Sequence, residues 1–162
     1  MSKSYRFSLA VAGLTVSFAA AIVFAQSTGP IVYTNDSGKW VHCPNMPAGC
    51  QMMRLYGDPT QSAEFGARFK YVANYRIAPH THPGDEHATV ISGGPFHTAV
   101  GDKFDPNSPS AQTLHATDVV VVPAGVHHYA WTEGETILQV NGTGPFTRNF
   151  IDPANNSSGV PK

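Results

Sequence analysis

Charge is what this sequence has least of: Asp, Glu, Lys and Arg make up 13% of its 162 residues, where about a quarter is usual. The 10 Lys and Arg are matched by 11 Asp and Glu, and the basic residues form no cluster. That excludes a nucleic-acid-binding surface and gives no patch for an anionic membrane. Helical periodicity is also missing: after residue 25 no long stretch repeats its apolar residues every three or four positions, which argues against a helical bundle. No repeat of solenoid period and no long low-complexity segment is present. The His-Glu-x-x-His of zinc proteases, the nucleophile elbow and the dinucleotide glycine pattern are absent as well. Cysteine is limited to Cys43 and Cys50.

One long apolar run stands at the start. Lys3 and Arg6 precede Phe7 to Ala25, and Val23-Phe24-Ala25 before Gln26 has the small-residue form of a cleavage site. Residues 1–25 therefore read as a signal peptide for export to the periplasm or the exterior. An uncleaved membrane anchor is the alternative, because the run is nearly long enough to span a bilayer. Cleavage removes two cations and no acid, leaving 137 residues with a formal charge of −3. That length suits one domain with a real core, and no membrane attachment is expected after cleavage.

In an exported protein, two cysteines separated by Pro44-Asn45-Met46-Pro47-Ala48-Gly49 suggest a local disulfide. Two free thiols, or a metal site shared with His42, are the alternatives. Residues 26–60 read as an N-terminal extension carrying this pair, 61–153 as the main domain and 154–162 as a loose tail. Within the domain, Phe69, Tyr71, Ala73, Tyr75 and Ile77 alternate with polar residues as one half-buried strand. Short strands are also expected at 96–100, 128–131, 136–140 and 146–151. Frequent Gly and Pro between such strands argue for an all-β sandwich or barrel.

Chemistry concentrates in Pro79-His80-Thr81-His82-Pro83-Gly84-Asp85-Glu86. In extended backbone, residues two apart share a face, so His80 and His82 can aim two imidazoles at one point. Pro83-Gly84 is a turn signal that can swing Glu86 back toward them. The break at Ala78-Pro79 could re-aim the histidines inward. A second stretch, Asp118 to Val122, then Pro123-Ala124-Gly125, reads as a buried strand and a turn into a strand that starts at His128.

Together these stretches resemble the two motifs of the cupin family. The first motif is met by His80-x-His82, three residues, Glu86, six residues, Gly93. The second is met by Pro123-x-Gly125, two residues, His128. The chain departs from the pattern at three places: Asn74 and Thr117 stand where each motif opens with Gly, and Thr132 where the second closes with Asn. Asn tolerates left-handed backbone better than most residues, and Thr does not. The resemblance implies a double-stranded β-helix, or jelly-roll barrel. It also implies one divalent transition metal (Fe, Mn, Zn, Ni, Co or Cu) on His80, His82, Glu86 and His128. A degenerate cupin without metal is the alternative.

The other histidines are expected to matter less. His87 and His127 face away from the ligands, His97 is a candidate cavity residue and His115 sits in a loop. Tyr129 and Trp131 share the parity of His127 and read as outward aromatics on a homodimer interface, or as scattered surface residues. Tyr75 and Phe96 are candidate substrate-binding residues in an apolar cavity with few further charges. The resemblance covers dioxygenases, decarboxylases, isomerases, lyases and non-catalytic members. The reading is an exported, metal-dependent enzyme, oxidoreductase-like, acting on a small oxygenated molecule. The alternative is a non-catalytic cupin that binds a metal or small ligand.

Overall fold

The computed structural model describes residues 29–34, 38–153 and 158–161. The expected signal segment at 1–25 lies outside the described residues. The chain divides into two units, Met1–Val32 and Tyr33–Lys162, and the described strands all belong to the second. In order they are β1 (Val41–His42), β2 (Cys50–Tyr56), β3 (Glu64–Tyr71), β4 (Arg76–Thr81), β5 (Glu86–Gly93), β6 (Phe96–Val100), β7 (Gln112–Leu114), β8 (Val119–Val122), β9 (His128–Thr132), β10 (Thr136–Thr143) and β11 (Asn149–Phe150).

Alternation along these strands makes two one-sided sheets, all of whose pairs are antiparallel. One sheet has the order β1-β2-β3-β10-β5-β8 and the other β11-β4-β9-β6-β7. In β10, Thr136, Leu138 and Val140 are buried; beside it in β5, Ala88 and Val90 are buried. Phe65, Ala67, Phe69 and Tyr71 of β3 share a core with Ile77, Phe96 and Ala130 of the other sheet. Each large apolar side chain so buried contributes about 1.5–3 kcal/mol. This is the all-β jelly roll expected from the sequence.

Several expectations are corrected. The strand read through 69–77 is two strands in different sheets. The chain turns at Asn74, whose φ is 58°, so one alternating pattern serves both sides of the core. Thr132 fastens that turn: its hydroxyl donates to the Val72 carbonyl at 2.8 Å and accepts from the Tyr75 amide at 3.0 Å. The valine run 119–122 is not buried throughout. It forms a sheet edge, with Val119 and Val121 exposed and Val122 buried. In the stretch read as an extension, β2 is a strand of the larger sheet, so that sheet begins before residue 61. Near the C-terminus, Ser158 and Gly159 are held rather than loose. The Ser158 hydroxyl accepts from the Ala78 amide at 2.8 Å, and Gly159 bonds Arg76 in both directions. β11 pairs β4 only at His80 and Thr81, so the backbone groups of β4 before them need other partners, and the tail supplies them at Arg76 and Ala78.

Both positions where the family pattern carries Gly keep left-handed backbone here, Asn74 at φ 58° and Thr117 at φ 82°. At Gly93 the residue type is forced, because an added Cβ would lie 1.8 Å from the Glu135 carbonyl oxygen. Cys43 and Cys50 form a disulfide with a Cα separation of 5.4 Å, and both are buried in the core.

Candidate metal centre

The register of β4 shifts between Ile77 and His80 where it pairs with β9. The irregularity has the effect the Ala78-Pro79 break suggests: residues 77–80 are all buried, and His80 turns inward next to its partner His128. His82 follows in the loop and is also buried. The two motif loops are clasped together. Gly125 donates its amide to the His82 carbonyl at 2.9 Å, and Ala124 donates to the Asp85 carboxylate at 2.8 Å. Glu86 opens β5 with its side chain on the inner face, shared with Ala88 and Val90, while His87 is exposed.

Four donor atoms converge. One ring nitrogen from each of His80, His82 and His128 lies within 4.8 Å of the others. His80 Nε2 and His82 Nε2 are 3.2 Å apart, and Glu86 Oε2 lies 3.4 Å from the Nε2 atoms of both His82 and His128. The opposite nitrogens decide the tautomers. His80 Nδ1 donates to the Ala78 carbonyl at 2.7 Å, His82 Nδ1 to the Thr147 carbonyl at 2.6 Å and His128 Nδ1 to the Val126 carbonyl at 3.0 Å. A carbonyl only accepts, so each neutral ring carries its hydrogen on Nδ1 and turns a bare Nε2 inward.

Burial, reinforced by His128, Arg148 and His82, holds the His80 pKa well below its ordinary value, so that ring is neutral. Burial works to raise Glu86 and donor contacts from His128 and His82 to lower it, the lowering being the larger. With the ring hydrogens on Nδ1, a bound cation would take the place of those donors and keep Glu86 a carboxylate. The cluster is therefore a set of inward lone pairs, which a cation satisfies together. Donors about 2.1 Å from one centre lie about 3.0–3.4 Å apart for octahedral to tetrahedral angles. The three separations just given, 3.2 Å and twice 3.4 Å, fall in that range, and the three histidine nitrogens as a set lie within 4.8 Å of one another. Three imidazoles and a carboxylate suit a divalent first-row transition metal.

The rings are braced by a segment expected from the sequence only as a short strand at 146–151. Phe146 stacks on His82 with centroids 4.1 Å apart, Phe150 lies 5.9 Å from His80, and Thr147 supplies the carbonyl described above. Beside the ligands is a cavity of about 20 Å3, lined in part by Tyr71, Phe96, His80, Glu86, His128 and Arg148. Phe96, expected as a substrate-binding residue, lines this cavity. Tyr75 is not among the lining residues: fully buried, it donates its hydroxyl to the Pro47 carbonyl at 3.0 Å and packs on Tyr71. Tyr71 and Arg148 were missed. Their signal was thin, though Arg148 is a lone cation between Phe146 and Phe150, with only Lys162 beyond it.

The remaining histidines lie outside the cluster. His97 does not line the cavity; it stacks on Trp131 on the other face of β6 and bonds Glu133 and Thr113. Tyr129 is not an outward interface residue. It is buried, packs on Phe104, and donates its hydroxyl to the Asp105 carbonyl, so the loop after β6 covers it. His127 is exposed and pairs with Asp102, and His115 is exposed. Among the described residues no helix is long and apolar enough to cross a membrane.

No family model matches the sequence, and no curated protein matches it. Solved structures do match. A cupin described as RmlC-like, from Shewanella frigidimarina NCIMB 400, aligns at TM-score 0.55 and 17% identity over 71% of this chain and 91% of its own. The DMSP lyase DddQ from Ruegeria pomeroyi DSS-3 aligns at 0.58 and 16% over 74% and 64%. A salicylate 1,2-dioxygenase mutant from Pseudoaminobacter salicylatoxidans, in complex with gentisate, aligns at 0.50 and 16% over 60% and 26%. The antiparallel sheets, the clasped motif loops and these likenesses agree: the chain is a cupin in fold.

Proposed function

We propose that this protein is an exported, metal-dependent cupin enzyme, an oxidoreductase of the dioxygenase type acting on a small oxygenated organic molecule. The observation that carries the reading is the convergence of three Nε2 atoms and one carboxylate oxygen, each ring locked by a backbone carbonyl. A divalent transition metal held there by His80, His82, Glu86 and His128 would supply Lewis acidity or one-electron chemistry. The chain's own contribution is orientation and dryness. The backbone carbonyls fix the tautomers, Phe146 and Phe150 hold the rings, and Ile77, Val122 and Leu138 wall the cavity with apolar surface. The disulfide supports an oxidising, exported location.

A second reading, a non-catalytic cupin that binds a metal or small ligand, is favoured by the cavity's size. About 20 Å3 holds only one or two water-sized groups. The test begins with elemental analysis of protein purified from its exported compartment. Metal-loaded protein is then offered a panel of small diketones, phenols and hydroxy acids while oxygen uptake and product mass are followed. Turnover that disappears in folded Glu86→Ala and His128→Ala proteins supports the enzyme. Tight binding without turnover under iron, manganese and copper establishes the binding module instead.

A further inference from the structure

The cavity holds a cation that the ligand set does not use. Arg148 is half-buried on the segment between β10 and β11, with exposed neighbours Thr147 and Asn149, so it reaches inward from the surface. Its guanidinium carbon lies 4.8 Å from the Phe69 ring centroid, and its Nη2 donates to the Tyr71 hydroxyl at 3.2 Å. It has no carboxylate partner among the described residues: the one carboxylate lining the same cavity, Glu86, pairs with His82 and His128. Tyr71 is buried, and its hydroxyl proton has no acceptor among the described residues. One guanidinium with donors to spare and one phenol with a free proton thus line the cavity that the histidines enter.

The charge count gives this pair a purpose. A divalent cation, the Glu86 carboxylate and the Arg148 guanidinium sum to a net charge of +2 in a low-dielectric site. A neutral ketone or phenol leaves that excess uncompensated, whereas an anion offsets it. Guanidinium also matches a carboxylate in shape, through two parallel N–H···O bonds.

We propose that Arg148, assisted by the Tyr71 hydroxyl, is a carboxylate-binding subsite, and that the substrate class is a small organic acid bearing a second oxygen function beside its carboxylate. The carboxylate binds Arg148 and Tyr71, and the neighbouring oxygen faces the ligand cluster. Because the cavity as it stands holds only one or two water-sized groups, binding displaces the half-buried Arg148 side chain toward the surface. This rests on the reading of the cluster as a metal centre.

The experiment is calorimetric titration of metal-loaded protein with two matched pairs, lactate against lactamide and salicylate against salicylamide. Metal content and a melting curve are recorded for every sample. The wild type is expected to bind at least one acid about tenfold or more tightly than its amide. In Arg148→Gln the preference falls to threefold or less while metal content is unchanged, and Arg148→Lys restores part of it. Tyr71→Phe, which keeps the ring, lowers the preference severalfold and serves if Arg148→Gln does not fold. An acid preference equally strong in Arg148→Gln, or absent in the wild type, overturns the proposal. Protein that takes up no metal yet shows an Arg148-dependent preference overturns the metal reading and leaves the anion subsite standing.

Discussion

Thr117 offers a clean measure of what this fold demands of its sequence. Its φ of 82° puts a β-branched residue in left-handed backbone. The turn is held by the chain itself: Thr117 donates its amide to the Val90 carbonyl at 2.8 Å, and Asp118 donates to the His115 carbonyl at 3.0 Å. The Thr117 side chain is exposed, so removing it forfeits no packing. Thr117→Gly relieves a left-handed penalty of about 1–2 kcal/mol. Against that stands about 0.4–1 kcal/mol for the greater freedom of glycine in the unfolded chain. The expected net is a stabilisation of about 0.5–1 kcal/mol, or about 2–5 °C in melting temperature for a domain of this size. Thr117→Ala keeps a Cβ and is expected to gain less than half as much. Urea denaturation of the three proteins, with calorimetric melting, reads the effect. A Thr117→Gly protein less stable than the wild type, or no better than Thr117→Ala, refutes the strain argument.

Three further outcomes are expected. Saturating divalent metal should raise the melting temperature of the wild type, with ligand at about 1,000 times its Kd adding about 4 kcal/mol; the rise should vanish in His128→Ala and Glu86→Ala, as melting curves with and without chelator will show. In metal-free protein, His80 has a folded-state pKa below its unfolded value, so the unfolded chain binds the extra proton. Stability should therefore fall as pH drops below about 6.5, by up to about 1.4 kcal/mol per pH unit, and His80→Gln should flatten that slope in urea titrations between about pH 7 and pH 5. Replacing both Cys43 and Cys50 by Ala should cost about 2–3 kcal/mol, because the bridge closes a short loop; a cost under about 0.5 kcal/mol in urea titration would argue against the entropic account.

Much of this was legible in the sequence because it depends on local spacing. His80 and His82 sit two apart, a turn precedes Glu86, and His128 follows the Pro-Ala-Gly turn, so short stretches of backbone carry the ligand pattern almost unaided. The alternating burial of β5 and β10 and the strand from His128 to Thr132 are local in the same sense. The missed features depend on contacts between distant parts of the chain. Tyr71 and Arg148 stand 77 positions apart, and only the curl of the sheets brings them together. Tyr129 has outward parity, but a loop that parity cannot foresee folds over it. The tail at 158–159 looks loose in composition because its partner is the backbone of β4 beyond the short reach of β11.

By itself, then, the sequence determined the strand periodicity, the ligand types and their order, and a cysteine pair near enough to bridge, since each follows from the chemistry of neighbouring residues. Tertiary structure alone decided that His80 turns inward through a register shift, and that three carbonyls fix the ring tautomers. It also decided that the chain at Asn74 passes from one sheet to the other and that Arg148 reaches the cavity beside the histidine cluster. Backbone carbonyls are the same at every residue and a side chain's reach is set by how two sheets pack, so neither is written in residue identity.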